Sequence, residues 1–170
     1  MASIKMATWI HGNAARAETP PVSEAHDGAG SHFLLNHQII IPATGVIPAQ
    51  IVFQGQRQGT NWFHFAPTTP VIIDDVRPQL LRCFVLFNAV SARVTQVDLF
   101  DGTFRFAQIP NMGQQGGNAL DIANAFAFAP NAPTIVNFGL GISVKVEYFF
   151  DTSTQKDCSI WFSAVGADFG

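Results

Sequence analysis

The chain has 170 residues, 48% of them hydrophobic and only 12% charged, with a net charge of −3. That length fits one domain, able to bury about two-thirds of the surface its unfolded form exposes without disulfide or metal staples. The nine basic residues are scattered from Lys5 to Lys156, which argues against a nucleic-acid partner, and no apolar run approaches the roughly eighteen residues of a membrane span.

An average soluble domain carries about 25% charged residues. A surface this poor in charge is either coated with uncharged polar groups or partly covered by other protein. Gln54, Gln56 and Gln58 alternate and Gln114 and Gln115 are adjacent, which fits the first reading. The N-terminal residues lack the apolar core of a signal peptide, so the cytoplasm is the default location, with export by another route left open.

In chain order, residues 4–10 have weak strand character. An extended segment here, with Ile4, Met6 and Thr8, suits addition to the edge of a neighbouring sheet. Residues 14–31, with Pro20, Pro21, Gly28 and Gly30, read as a long loop or arm. Residues 49–54 and 61–65 are further strands. In the second, Trp62 and His64 share one face while Phe63 and Phe65 share the other. Residues 71–74 read as a strand, on which Asp74 and the adjacent Asp75 would point to opposite faces and could not form an acid/base couple.

Residues 80–88 are apolar on both faces, with Leu81, Cys83, Val85 and Phe87 on one and Phe84 and Leu86 on the other. That predicts a central strand whose second face is covered, by a partner if not by the chain itself. Residues 94–109 form a hairpin through Asp101-Gly102, where glycine accepts the positive φ of a tight turn. A Gly/Gln loop follows at 111–118, one or two helical turns at 118–124, and short strands at 125–129 and 134–138. The clearest strand is 142–148, where Ile142, Val144, Val146 and Tyr148 alternate with Ser143, Lys145 and Glu147. The last is 159–165, with Ile160, Phe162 and Ala164 opposite Ser159, Trp161 and Ser163. Many short strands with prolines between them predict an all-β, single-domain antiparallel sandwich over residues 1–170, jelly-roll-like or immunoglobulin-like.

Cys83 and Cys158 fall on the apolar side of their strands and read as buried free thiols; a bond between them would need adjacent or facing strands. Two cysteines supply no zinc framework. The gaps of five and six residues among His26, His32 and His37 do not put metal ligands on one strand face. His11, before Gly12 and Asn13, marks a strand end.

The runs Asn61-Trp62-Phe63-His64-Phe65, Thr69-Pro70-Val71-Ile72-Ile73-Asp74, Phe100-Asp101-Gly102, Phe138-Gly139-Leu140-Gly141-Ile142-Ser143-Val144 and Gly166-Ala167-Asp168-Phe169 resemble a family of small uncharacterised bacterial β-sandwich proteins. The similarity runs along the whole chain and is weakest over residues 14–52. The family has no assigned activity, so the resemblance implies a shared β-fold and no site.

No Gly-x-Ser-x-Gly, Ser-x-x-Lys or phosphate loop is present in the sequence, and the expectation is a protein that is not an enzyme and uses no cofactor or metal. Two functional readings remain. One is a structural protein that self-associates into a homo-oligomer or fibre through Ile4, Met6, Thr8, Phe84 and Leu86. The other is a lectin-like module in which Trp62 stacks on a carbohydrate ring, with His64, Asp98 and Asp101 as polar partners. Turn chemistry also accounts for Asp101, and a core pair also accounts for Trp62 and His64.

Overall fold

Alternation of apolar and polar residues decides which strands form here and which way each side chain points. The structure, a computed structural model, describes residues 4–41, 50–55, 58–114, 125–128, 134–150 and 157–170, and only the backbone at 37–41, 50–54, 111–114 and 125–128. Its strands are β1 (Met6–His11), β2 (Arg16–Ala17), β3 (Ser23–Asp27), β4 (Gly30–Ile41), β5 (Gln50–Gln54), β6 (Gln58–Phe65) and β7 (Gln79–Val90). They continue with β8 (Ala92–Asp101), β9 (Phe104–Gln114), β10 (Ala125–Phe128), β11 (Thr134–Ile135), β12 (Leu140–Phe149) and β13 (Cys158–Phe169). A 3-10 turn, Gly12–Ala14, follows β1, and His11 ends that strand by accepting the Asn13 N–H on its Nδ1. Among the described residues no helix is long and apolar enough to cross a membrane.

The strands form two antiparallel sheets packed face to face. One has five strands in the order β2-β6-β12-β8-β9. The other has eight: β10-β7-β13-β4-β3 across its width, with β1 on β13, β11 on β7 and β5 on β4. The all-β sandwich expected from the strand spacing is therefore the fold.

Between the sheets lie the apolar halves of the alternating strands. Ile142, Val144, Val146 and Tyr148 of β12 are buried, as are Phe63 and Phe65 of β6 and Val97 and Leu99 of β8. The eight-stranded sheet contributes Phe33, Val85, Phe87, Ile160 and Phe162, all at most 1% exposed. The Phe162 ring lies 5.1 Å from that of Phe63, 5.2 Å from Phe65 and 6.2 Å from Phe33, in tilted and edge-on geometries that suit aromatic quadrupoles.

Simple alternation fails at two bulges. Phe162 pairs with Phe87 but Ala164 pairs with Leu86, so Ser163 is an extra residue and the inward set on β13 changes phase to Val165, Ala167 and Phe169. Ala164, expected inside, faces outward. On β7, Arg82 pairs with Asp168 and Leu80 with Phe169. Leu81 is the extra residue, and Leu80 takes the core position expected for it.

Three other expectations change. Residues 14–31 are not an arm, because they hold β2, β3 and the start of β4. Residues 71–74 form no strand; Asp74 and Asp75 sit at φ 51° and 62° in a tight turn closed by Ile73 and Val76. The loop expected at 111–118 is strand to Gln114. The helical turns expected at 118–124 lie outside the described residues.

Strand β13 pairs with β7 along one edge and with two strands in succession along the other: β4 from Cys158 to Phe162, then β1 from Ala164 to Phe169. Both incoming segments cross the Phe162 carbonyl at glycines. A Cβ on Gly12 would lie 1.8 Å from that oxygen, and one on Gly30 2.1 Å. Gly12→Ala is expected to destabilise the fold by at least about 1–3 kcal/mol, the cost of overpacking, whereas Gly28→Ala, with nothing within 4 Å, should stay within about 0.5 kcal/mol; thermal or urea melts compare them. Gly102 has φ 60°, and its Cβ position meets only ordinary contacts with Phe138 at 3.5 Å. Gly102→Val should therefore cost about 1–2 kcal/mol from the backbone alone, and an unchanged melting midpoint would contradict the turn.

Candidate functional site

Strand β12 is the centre of the five-stranded sheet, paired along its length with β6 and β8. Its outward residues are Gly141, Ser143, Lys145 and Glu147, the complement of its buried set. Ser143 lies directly opposite His64 on β6 and opposite Asp98 on β8. Directly opposed residues of antiparallel strands share a face, so imidazole, hydroxyl and carboxylate form one row across three strands. Arg16 on β2 and Gln108 on β9 extend it at either end.

His64 Nδ1 is 2.9 Å from Ser143 Oγ. The Asp98 side chain is 5% exposed and is held from the far side, its two oxygens accepting from Arg105 Nη1 at 3.0 Å and Gln96 Nε2 at 2.8 Å. Along the strands the row is bracketed by aromatic rings. Trp62 lies one pleat away beside Lys145, whose Nζ is 5.8 Å from the ring centroid. Phe100 lies on the other side, opposite Gly141. Glu18, whose N–H donates to the Trp62 carbonyl, closes the edge.

These groups line a shallow pocket of about 170 Å³, formed by Glu18, Trp62, His64, Asp98, Phe100 and Ser143. That is smaller than the roughly 300–1,000 Å³ of drug-sized sites, so it suits one small ring or one unit of a longer chain. A groove of about 400 Å³ at the edge of the sandwich, lined by Arg16, Pro20, Pro21 and Glu24 among others, is larger but brings no aromatic ring and fewer convergent polar groups. The smaller pocket has the more selective chemistry.

Of the residues singled out in the sequence, Trp62, His64 and Asp98 meet in this pocket. Asp101 does not. It is three positions from Asp98 on one strand and so faces the other way, and its carboxylate accepts from the backbone N–H groups of Asn137, Phe138 and Gly139 and from Asn137 Nδ2. Burial by itself would raise the Asp101 pKa, but the donated hydrogen bonds outweigh it and hold the pKa below the ordinary value. The residue anchors the loop that carries Phe138, a ring 81% exposed. Ser143, Glu18, Phe100 and Lys145 were not singled out. The wet face of residues 142–148 already contained Ser143 and Lys145, but only strand order places them beside Trp62 and His64.

The N-terminal residues expected to reach a neighbour pair within the chain. Met6 and Thr8 lie opposite Phe169 and Ala167 of β13, on the inward side, and Lys5 N donates to the Phe169 carbonyl. Phe84 and Leu86 lie on the outward side of β7.

The histidines of the β3–β4 hairpin separate: His26 is opposite Ser31 and His32 opposite Ala25, on opposite faces. Ser31 gives its one hydroxyl proton to the Gly12 carbonyl, so His26 donates to Ser31 Oγ from Nδ1. The side chain of His37 is outside the described residues. Among the described residues no group of three or more His, Cys, Asp or Glu side chains gathers as metal ligands do.

Both cysteines are buried free thiols. Cys83 is opposite Ala167, nine residues along β13 from Cys158, a separation of about 30 Å at strand rise. Burial, aided by Asp168, pushes the Cys83 thiol up to about 12, and burial with the neighbouring Asp157 carboxylate pushes Cys158 up to about 11. Neither is a thiolate near neutral pH.

No protein-family model and no curated protein matches the chain.

The lowered pKa of Asp101 adds stability that is complete above the ordinary value of 3.8 and is lost as pH falls through the lower native value. Asp101→Asn is expected to lower the melting midpoint at neutral pH, and to make the loss of stability below about pH 4 shallower than in the wild type. Parallel acid-side slopes would show that this carboxylate is not the titrating anchor.

Proposed function

We propose that this protein is a lectin-like binding module that holds one sugar ring in the pocket on the outer face of its five-stranded sheet. The observation that carries this reading is the row His64, Ser143 and Asp98, set between the rings of Trp62 and Phe100. A pyranose offers an apolar face and a rim of hydroxyls. An indole beside a row of donors and acceptors matches both, and sites on sheet strands hold such groups in fixed geometry.

Serine, histidine and aspartate in one row also raise acyl transfer, and the order of the row counts against it. In a catalytic triad histidine stands between the other two and is oriented by the carboxylate. Here serine is in the middle, and Asp98 is bonded to Arg105 and Gln96. Ser143 sits within a strand paired on both edges, so the N–H groups beside it serve the sheet rather than an oxyanion. The arrangement supports recognition without chemistry.

The reading places ligand binding ahead of assembly by strand addition, because β1, which would have reached a neighbour, completes its own sheet. Titration against a panel of mono- and oligosaccharides, followed by tryptophan fluorescence and calorimetry, tests it. Saturable binding is expected, weakened at least about tenfold by Trp62→Ala and by Asp98→Asn, or about 1.4 kcal/mol each. The fluorescence response should disappear in Trp62→Phe. No saturable binding across the panel, or binding indifferent to Trp62→Ala, would overturn the proposal.

A further inference from the structure

Most of the charge around the pocket on the five-stranded face is balanced where it stands. Asp98 accepts from Arg105 at 3.0 Å, and Glu147 is paired with Arg93 at 2.6 Å. Glu18, whose N–H donates to the Trp62 carbonyl, and Lys145, paired with Trp62 across the other edge of β6, flank the indole with opposite charges. Arg16 is left over. It is exposed, and among the described residues nothing accepts from its guanidinium, whereas Arg77 donates to the Asn137 carbonyl and Arg82 to Asp168.

Arg16 also stands where two concave surfaces meet. On β2 it lies directly opposite His64. Side chains so placed share a face with Cβ atoms about 4.5–5.5 Å apart, so a side chain as long as arginine reaches the pocket that His64 lines. The same residue lines the groove of about 400 Å³, together with Pro20, Pro21, Ser23 and Glu24. Glu18, two positions on, lines the pocket. Strand β2, two residues long and at the edge of its sheet, therefore separates the two.

We infer that the ligand is an acidic oligosaccharide: one ring sits in the pocket beside Trp62, and the next, a uronic acid, crosses β2 into the groove with its carboxylate on Arg16. This rests on the sugar-binding reading of the pocket and specifies its substrate class. The pocket, at about 170 Å³, takes one ring, while the groove has a volume within the usual range for small-molecule sites. Pro20 and Pro21, with φ fixed by their rings, give the groove a stiff wall. A guanidinium offers a carboxylate two parallel N–H donors, and Arg16 breaks no ion pair to do so. Glu24 leaves that charge available: it stands on β3, 3.8 Å from His26 Nε2, and neither it nor Glu18 comes within the 4.0 Å of an ion pair with Arg16.

Calorimetry with aldobiouronic acids, each a neutral sugar linked to a uronic acid, and with their methyl esters tests the assignment. The ester keeps the rings and loses the charge. The acid is expected to bind about five- to tenfold more tightly than its ester. Arg16→Gln should abolish that preference and leave ester affinity unchanged, and Arg16→Lys, which keeps the charge without the planar fork, should retain part of it. Both variants should keep the wild-type circular dichroism, because the residue is exposed on an edge strand. A measurement on the wild type needs no variant: raising salt from about 0.05 to about 0.5 M should shrink the preference while ester affinity stays level. Trp62→Ala should weaken acid and ester alike. Equal affinity for acid and ester, a preference that survives Arg16→Gln or high salt, or Arg16→Gln weakening both ligands equally would overturn the inference and leave the sugar-binding reading standing. Absence of binding by acids, esters and neutral sugars alike would overturn both.

Discussion

At Phe162 strand β13 exchanges one neighbour for another, and the backbone there is approached so closely that neither incoming segment has room for a side chain. Gly12, leaving β1, and Gly30, entering β4, both lie against its carbonyl oxygen. One residue later Ser163 is squeezed out as a bulge, and the inward phase of β13 shifts. The Phe162 ring meanwhile projects to the middle of the core, against Phe33, Phe63 and Phe65. One residue thus joins the N-terminal strand, the β3–β4 hairpin and the C-terminal strand, and ties the eight-stranded sheet to the five-stranded one. The Ser31 hydroxyl bonded to the Gly12 carbonyl secures the same junction from the side.

The low charge of the chain acquires a spatial meaning once the sheets are in place. Charge is not thinly spread over both outer faces. Much of it is gathered on the five-stranded face, in ion pairs that bridge neighbouring strands and leave a patterned, hydrated surface around the pocket. Among the described residues the eight-stranded face carries Arg82 bonded to Asp168 and His32 beside Asp27, and exposes the ring of Trp9 stacked on Phe84 where β1, β13 and β7 adjoin.

The pocket draws its order from its place in the sheet. Ser143 stands on the central strand, fixed by ladders on both sides, and His64 and Asp98 stand on the two strands that flank it. Asp98 is held by Arg105 and Gln96, so its carboxylate is already oriented. The Asp101 anchor does similar work at the end of the sandwich by gathering three backbone N–H groups of the loop before β12. Both carboxylates stand near the hairpin read from Asp101-Gly102. They do different things because residues three apart on a strand face opposite ways.

The sequence by itself determined the class of fold, the Asp101-Gly102 turn, the inward and outward sets of residues 142–148 and of 61–65, and the burial of both cysteines. All of these follow from period-two alternation and glycine chemistry, which act over a few residues. It did not show β2 and β3, which are short or exposed along their length, or β4, whose apolar pattern is interrupted by His32 and Asn36. Nor did it show the bulges at Leu81 and Ser163, because a bulge is forced by the partner strand's register. The same limit applies to function. Trp62, His64 and Asp98 could be named one at a time, but Ser143 joined them only when β12 was placed between β6 and β8. Tertiary structure decided that, since cross-strand neighbours here are as much as 79 positions apart in the chain and are set by the packing of two whole sheets.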